Sequence, residues 1–278
     1  MASSYEDLQD TIGEHAPGEE SGVPVSVYPS HTPQTDEGEP RRGLIARVRA
    51  PFSTPAFATA SSMVVSITAY SFVWNWKFAL GLVAMLVGHE SGHIIEARRQ
   101  RIPIHPPDFV PFMGAVALMK EMPPNAWREA QVALAGPIAG SAAAASAWAL
   151  SGAVHSDVLL DVAFVGFALN LLNLVPLVPL DGGRATVAVS PFSWVVGLGG
   201  LGALAYFVRN PVVITTVIII AWLALRDLHY RWREREQLSE AGYYQTTVWQ
   251  RMAVSIVYLG LAALLTLAAV ASYSQNTI

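Results

Sequence analysis

Apolar residues in this chain gather in long runs divided by short polar or proline-rich breaks. This is the pattern of helices that cross a bilayer, not of amphipathic helices on a soluble core. The first run predicts a helix over about 54–74, ending at Trp74 and Trp76, whose rings suit a membrane–water interface. A second covers about 77–97 and closes on Glu96, Arg98, Arg99 and Arg101. Pro103, Pro106, Pro107, Pro111, Pro123 and Pro124 exclude a continuous helix in the next stretch, where Phe109 to Met119 reads as extended with a turn near Gly114. The third helix, about 128–151, is rich in Ala and Gly. The fourth, about 157–177, runs into Pro176 and Pro179 and then Asp181-Gly182-Gly183.

Two weaker runs follow. Trp194 to Val208 is short and glycine-rich, Pro211 to Leu225 is apolar, and Asn210-Pro211 divides them. They form either one interrupted span or two short ones, before a last span at about 251–272. Charge favours two, because only then do Arg226, Arg231, Arg233, Arg235 and Arg251 stay cytoplasmic. Arg41, Arg42, Arg47 and Arg49 precede the first span and hold the N-terminus in the cytoplasm. With that orientation 15 of the 17 basic residues face the cytoplasm, leaving Lys77 and Arg209 outside. The expected fold is an all-α polytopic protein of the cell membrane with about seven transmembrane helices. No internal repeat of the transporter type is visible.

Composition agrees. The 278 residues are 53% hydrophobic and only 14% charged, as in polytopic membrane chains. Cysteine is absent, which excludes disulfides and thiolate metal sites. A metal would bind through His, Asp or Glu, a donor set that suits zinc without requiring it. The net charge of −4 conceals an asymmetry, since residues 1–40 carry nine acidic residues and no Lys or Arg. That segment lacks apolar periodicity and the core of a cleavable signal peptide, so it reads as a disordered tail. Nothing resembles a nucleic-acid-binding surface. The chain thus divides into a 1–50 acidic tail with a basic juxtamembrane end, a 51–190 transmembrane core, and 191–278 with additional helices and a short cytoplasmic segment at about 226–250.

The candidate chemistry lies in the second run, as His89-Glu90-Ser91-Gly92-His93. On a helix, positions i and i+4 share a face, so both imidazoles can reach one ion while Glu90 works on a water beside it. Such a five-residue match arises by chance in many proteins. Its setting sharpens it, because two histidines and a glutamate in an apolar span are costly unless a partner or metal satisfies them. A proton relay in an ion transporter would use the same residues, and a non-catalytic zinc-binding scaffold could retain them.

Two histidines leave a catalytic zinc one protein ligand short. His15 and His31 lie in the tail, His105 in the proline-rich loop, His155 in an outer loop and His229 in the charged segment after the sixth span. Asp181 differs, because it ends a buried apolar segment and precedes two glycines that allow tight turning. An isolated Asp-Gly-Gly is also common as a turn at the interface. Ser91 and Gly92 are read as small for packing. Gly136 and Gly140, at i and i+4, permit close helix contact and need no catalytic explanation.

The sequence resembles the site-2 protease family of intramembrane zinc metalloproteases. Members pair an HExxH span with a later Asn-x-x-Pro-x-x-x-Leu-Asp-Gly motif, which here reads Asn173-Leu174-Val175-Pro176-Leu177-Val178-Pro179-Leu180-Asp181-Gly182-Gly183-Arg184. The resemblance covers roughly 55–190. It implies one zinc per chain, held by His89, His93 and Asp181, with Glu90 as the catalytic glutamate. It also implies that Asn173 lies near the zinc and holds substrate or stabilises the oxyanion, where a side-chain amide can be worth about 3 kcal/mol. Asn170, one turn earlier, competes for that role, and a buried Asn could instead join helices.

Phe112-Met113-Gly114-Ala115-Val116-Ala117 resembles the family's small membrane re-entrant β-loop, and Ala135-Gly136-Pro137 the helix start that follows it. The resemblance makes Phe112, Met113, Gly114, Ala115 and Val116 candidate substrate contacts, since a free strand edge can hold an unwound peptide. A cytoplasmic proline-rich linker is the plainer alternative. The implied substrate is a transmembrane protein in the lipid bilayer, first trimmed by an upstream site-1 type protease. The active site is expected toward the cytoplasmic side, because His89 to His93 lie near the end of the second span.

Overall fold

The computed structural model describes residues 54–112, 114–116, 123–190, 192–209, 211–233 and 235–276. The acidic tail, Met113 and the 117–119 end of the extended segment lie outside the described residues. Helix α1, Pro55–Val73, starts on Thr54, whose side chain accepts a hydrogen bond from the Phe57 amide, with proline in the first turn. Asn75 caps α2, Trp76–Arg99, in the same way. Strands β1, Asp108–Val110, and β2, Gly114–Val116, form an antiparallel pair in which Phe109 faces Ala115. Helix α3, Ala126–Val154, follows an Asn125 cap, and α4, Asp157–Asn173, follows a Ser156 cap.

Helix α4 stops at Asn173, four residues short of the span read from hydropathy. Pro176 and Pro179 carry no amide proton to continue it, and residues 174–180 form turns. Asp181, expected in a glycine turn, is instead the first residue of a short helix, α5, Asp181–Thr186. A Cβ on Gly182 or Gly183 would collide with the backbone of residues 174–178, so the glycines serve a close approach of chain to chain. Helices α6, Ser193–Val208, α7, Pro211–Arg233, α8, Arg235–Glu240, and α9, Val248–Asn276, complete the chain.

Among the described residues four helices are long and apolar enough to cross a membrane: Pro55–Val73, Trp76–Arg99, Ala126–Val154 and Val248–Gln275. Helix α4 is 17 residues long, and α6 and the apolar part of α7 are likewise short. Helix α3 is the centre of the packing, touching α2, α4, α5 and α9. Outward residues of α1 and α9 such as Phe72, Val65, Leu267 and Ile256 are exposed, as expected where lipid replaces water.

The β-hairpin lies along α1. The Thr59 hydroxyl donates to the Pro107 carbonyl at 2.9 Å, the Phe109 amide donates to Ser62 Oγ at 3.0 Å, and the Ser66 hydroxyl donates to the Phe109 carbonyl at 3.2 Å. At the turn, the Phe112 amide donates to the Tyr70 hydroxyl at 3.1 Å, and the two rings meet edge to face. From Thr59 to Tyr70 is about 16 Å along the helix axis. An apolar helix therefore carries four polar rungs that satisfy the backbone of an extended segment.

Candidate metal centre

Helix α2 presents His89 and His93 on one face, one turn apart, and α5 brings Asp181 to them. The donor atoms converge. Nε2 of His89 lies 3.2 Å from Nε2 of His93, and Asp181 Oδ2 lies 3.1 Å from the first and 3.3 Å from the second. Ligands at zinc distances in a tetrahedral arrangement stand about 3.3 Å apart. Two imidazole lone pairs facing each other this closely would repel without a cation between them. All three residues are buried, and among the described residues they form the one group of three or more such donors that could hold a metal ion.

The far side of each imidazole is fixed. Nδ1 of His89 lies 2.8 Å from Asn170 Oδ1, and Nδ1 of His93 lies 2.8 Å from the Val132 carbonyl. Both partners accept only, so each Nδ1 carries the proton and each Nε2 turns its lone pair to the centre. The Asn170 carboxamide is itself oriented, because its Nδ2 donates to the Gly166 carbonyl at 2.7 Å. Neutral imidazoles plus one carboxylate is the donor set of a hydrolytic zinc, so the residues present fit the ion.

Space for this arrangement comes from glycines. A Cβ on Gly136 would land on the His93 ring, one on Gly140 would land on the Asn170 carboxamide, and one on Gly92 would strike the Ala135 carbonyl. The pair read in the sequence as helix packing therefore shapes the site directly. Glu90 is buried beside the ligands and interacts electrostatically with His93, His89, Asp181 and Arg184.

Of the residues singled out in the sequence, His89, Glu90, His93 and Asp181 meet in one place. Asn173 closes α4 and is half-buried, and it is Asn170 that touches His89. Phe112 lies at the hairpin turn, exposed and with a positive φ of 63°, and packs on Tyr70 and Trp74. Two residues had no role assigned from the sequence, although Arg184 closes the motif that begins at Asn173. Glu129, buried in the first turn of α3, and Arg184 in α5 form an ion pair at 3.5 Å next to Asp181. Their one sequence signal is that each is a charged residue at the edge of an apolar segment.

Residues 77–158 match the model of Peptidase family M50. A stretch of 142 residues is 32% identical to the "Putative zinc metalloprotease Rip3" of Mycobacterium tuberculosis, in strains Erdman and H37Rv alike. The match covers 46% of this chain and 35% of that protein, so the chain spans about a third of the length of the curated relatives it matches. The family match holds His89, Glu90 and His93 and ends before Asp181, which joins them through the folded geometry.

Proposed function

The chain is related to peptidase family M50 through residues 77–158, and on that premise we propose that it is an intramembrane zinc metalloprotease cutting peptide bonds within or near transmembrane segments of membrane proteins. The observation that carries this reading is the convergence of His89 Nε2, His93 Nε2 and Asp181 Oδ2 to 3.1–3.3 Å beside Glu90, in a helix apolar enough to span a bilayer. A transporter relay would not require three ligand atoms at tetrahedral spacing with both Nδ1 protons fixed away from them.

His89, His93 and Asp181 would hold the zinc, which when bound polarises the scissile carbonyl and acidifies a water. Glu90 takes the proton of the attacking water and passes it to the leaving amide nitrogen. Asn170 holds His89 in the required tautomer. Asn173, half-buried at the end of α4, is assigned to the substrate carbonyl or the oxyanion.

The hairpin is assigned as the substrate platform and as a re-entrant loop. Four rungs on α1, spread over about 16 Å of helix, support re-entry, since backbone at membrane depth must be satisfied by protein. Both the amide and the carbonyl of Phe109 are committed to α1. In an antiparallel pair the residue opposite, Ala115, then turns its own amide and carbonyl to the outer edge of β2. Strand β2 packs beside α2, which carries Glu90. An unwound substrate segment added there would lie next to the ligands.

The chain is a membrane protein. Helices α4 and α6 and the apolar part of α7 are assigned as further crossings, giving seven with the N-terminus and the active site toward the cytoplasm. The 1–50 tail, 51–190 catalytic core and 191–278 helices are kept as the domain plan. An upstream site-1 type protease trims the substrate before this chain cuts it. Trapping with Glu90→Gln tests the function: membrane proteins should accumulate uncut on the variant and be cleaved by the wild-type chain. Equal cleavage by both would defeat it.

A further inference from the structure

Asp181 uses only one oxygen toward the histidines. Its Oδ2 faces both imidazoles, while Oδ1 lies 4.0 Å from Arg184 Nη1, one helical turn along α5. Arg184 is also held from α3, with its Nε 3.5 Å from Glu129 Oε1. The second oxygen of Glu129 accepts a 2.5 Å hydrogen bond from the Tyr243 hydroxyl. Tyr243 is buried in the turn between α8 and α9, and its carbonyl accepts the Ala126 amide at 2.9 Å, at the start of α3. A chain of contacts therefore runs from the metal ligand to the segment that precedes the last helix.

We propose that Arg184 and Glu129 are positioning residues for the metal centre, with Tyr243 as their anchor in the C-terminal part of the chain. This inference rests on the assignment of zinc to His89, His93 and Asp181. Arg184 steadies Oδ1, so that Asp181 offers Oδ2 alone to the ion. Glu129 keeps the guanidinium from closing a two-bond fork on Asp181, which would compete with the metal for the carboxylate. Glu129 has a plainer role as an acid in the first turn of α3, but a helix-end acid needs neither burial nor two partners.

The sign of one substitution separates positioning from charge. Removing a cation beside a metal site should strengthen metal binding if only long-range electrostatics operates. Positioning requires the opposite, a loss of about 10- to 100-fold, as for other supports of metal ligands.

The experiment measures Zn2+ affinity of the full chain in detergent, by competition with a chromophoric chelator, for wild type, Glu90→Gln, Arg184→Gln, Arg184→Lys, Glu129→Gln and Tyr243→Phe. Arg184→Gln and Glu129→Gln should each bind more weakly, the two effects should not add, and Arg184→Lys should recover part of the loss. Tyr243→Phe should give a smaller loss. Visible absorption of the Co2+-loaded chain should shift in Arg184→Gln, which a purely structural role for the pair would leave unchanged. Wild-type or tighter Zn2+ binding by Arg184→Gln would overturn the inference. If that variant does not fold, Arg184→Lys decides, and wild-type affinity with an unchanged Co2+ spectrum would overturn it. Failure of wild type and Glu90→Gln to bind Zn2+ would remove the zinc assignment itself, a result distinct from either of these.

Discussion

Asn170 on α4 and His89 on α2 meet through a 2.8 Å hydrogen bond from Nδ1 to Oδ1, 81 residues apart in the chain. The bond fixes both the tautomer and the ring plane of a candidate metal ligand. Asn170→Ala should therefore weaken zinc binding about 10- to 100-fold, read by chelator competition. Asn173→Ala should leave zinc affinity unchanged and reduce cleavage, since that residue is assigned to substrate. Zinc binding that responds to Asn173 and ignores Asn170 would reverse the two roles.

Gly136 supplies the space that His93 fills. An added methyl there meets the imidazole ring, and neither the ring, tied to the Val132 carbonyl, nor the α3 backbone can move freely. Gly136→Ala should cost about 1–3 kcal/mol in overpacking and displace a ligand, so thermal stability and bound zinc should both fall. Gly152, on the same helix, has no atom within 4 Å of an added Cβ. Gly152→Ala should raise stability by up to about 1 kcal/mol through helix propensity alone. A Gly136→Ala chain with full zinc would show that the helices can part.

Glu90 and Asp181 should separate in metal analysis. Asp181→Ala removes one of three ligands and leaves His89 and His93 without their carboxylate, so most zinc should be lost. Glu90→Gln keeps every ligand, so one zinc per chain should remain while cleavage disappears. Retention of zinc by Asp181→Ala would mean that another residue completes the site.

The apolar runs made the long helices legible, because a helix that meets lipid announces itself by composition alone. The His89–His93 spacing and the Asp181 motif made the converging donor group legible, since i and i+4 geometry is local and the resemblance joined the distant half. What stayed hidden depends on packing between segments. The meeting of Gly136 with His93 follows from how close α2 and α3 approach, and no periodicity encodes that distance. The Glu129–Arg184 pair spans 55 residues, and the motif favoured Asn173 over Asn170 although the rotation of α4 puts Asn170 against His89. Asp181 was found, but its place at a helix start was not, because Gly182-Gly183 suggested a turn where close backbone contact was the cause.

The outer edge of β2 offers the sharpest test of substrate docking. Ser62 and Ser66 already satisfy the Phe109 amide and carbonyl, so the Ala115 amide across the pair has no ladder bond to lose. Ala115→Pro should then spare the hairpin while deleting one donor that only an added strand would use. Its expected signature is unchanged zinc content with kcat/KM lowered roughly fivefold, the worth of about one net hydrogen bond. Phe109→Pro is the contrast: it removes an amide that binds Ser62 and should loosen the hairpin from α1, lowering stability as well as cleavage. Full activity in Ala115→Pro would place the substrate elsewhere than on this edge. A fall in zinc content would instead mean that the strand supports the metal centre and does not serve docking alone.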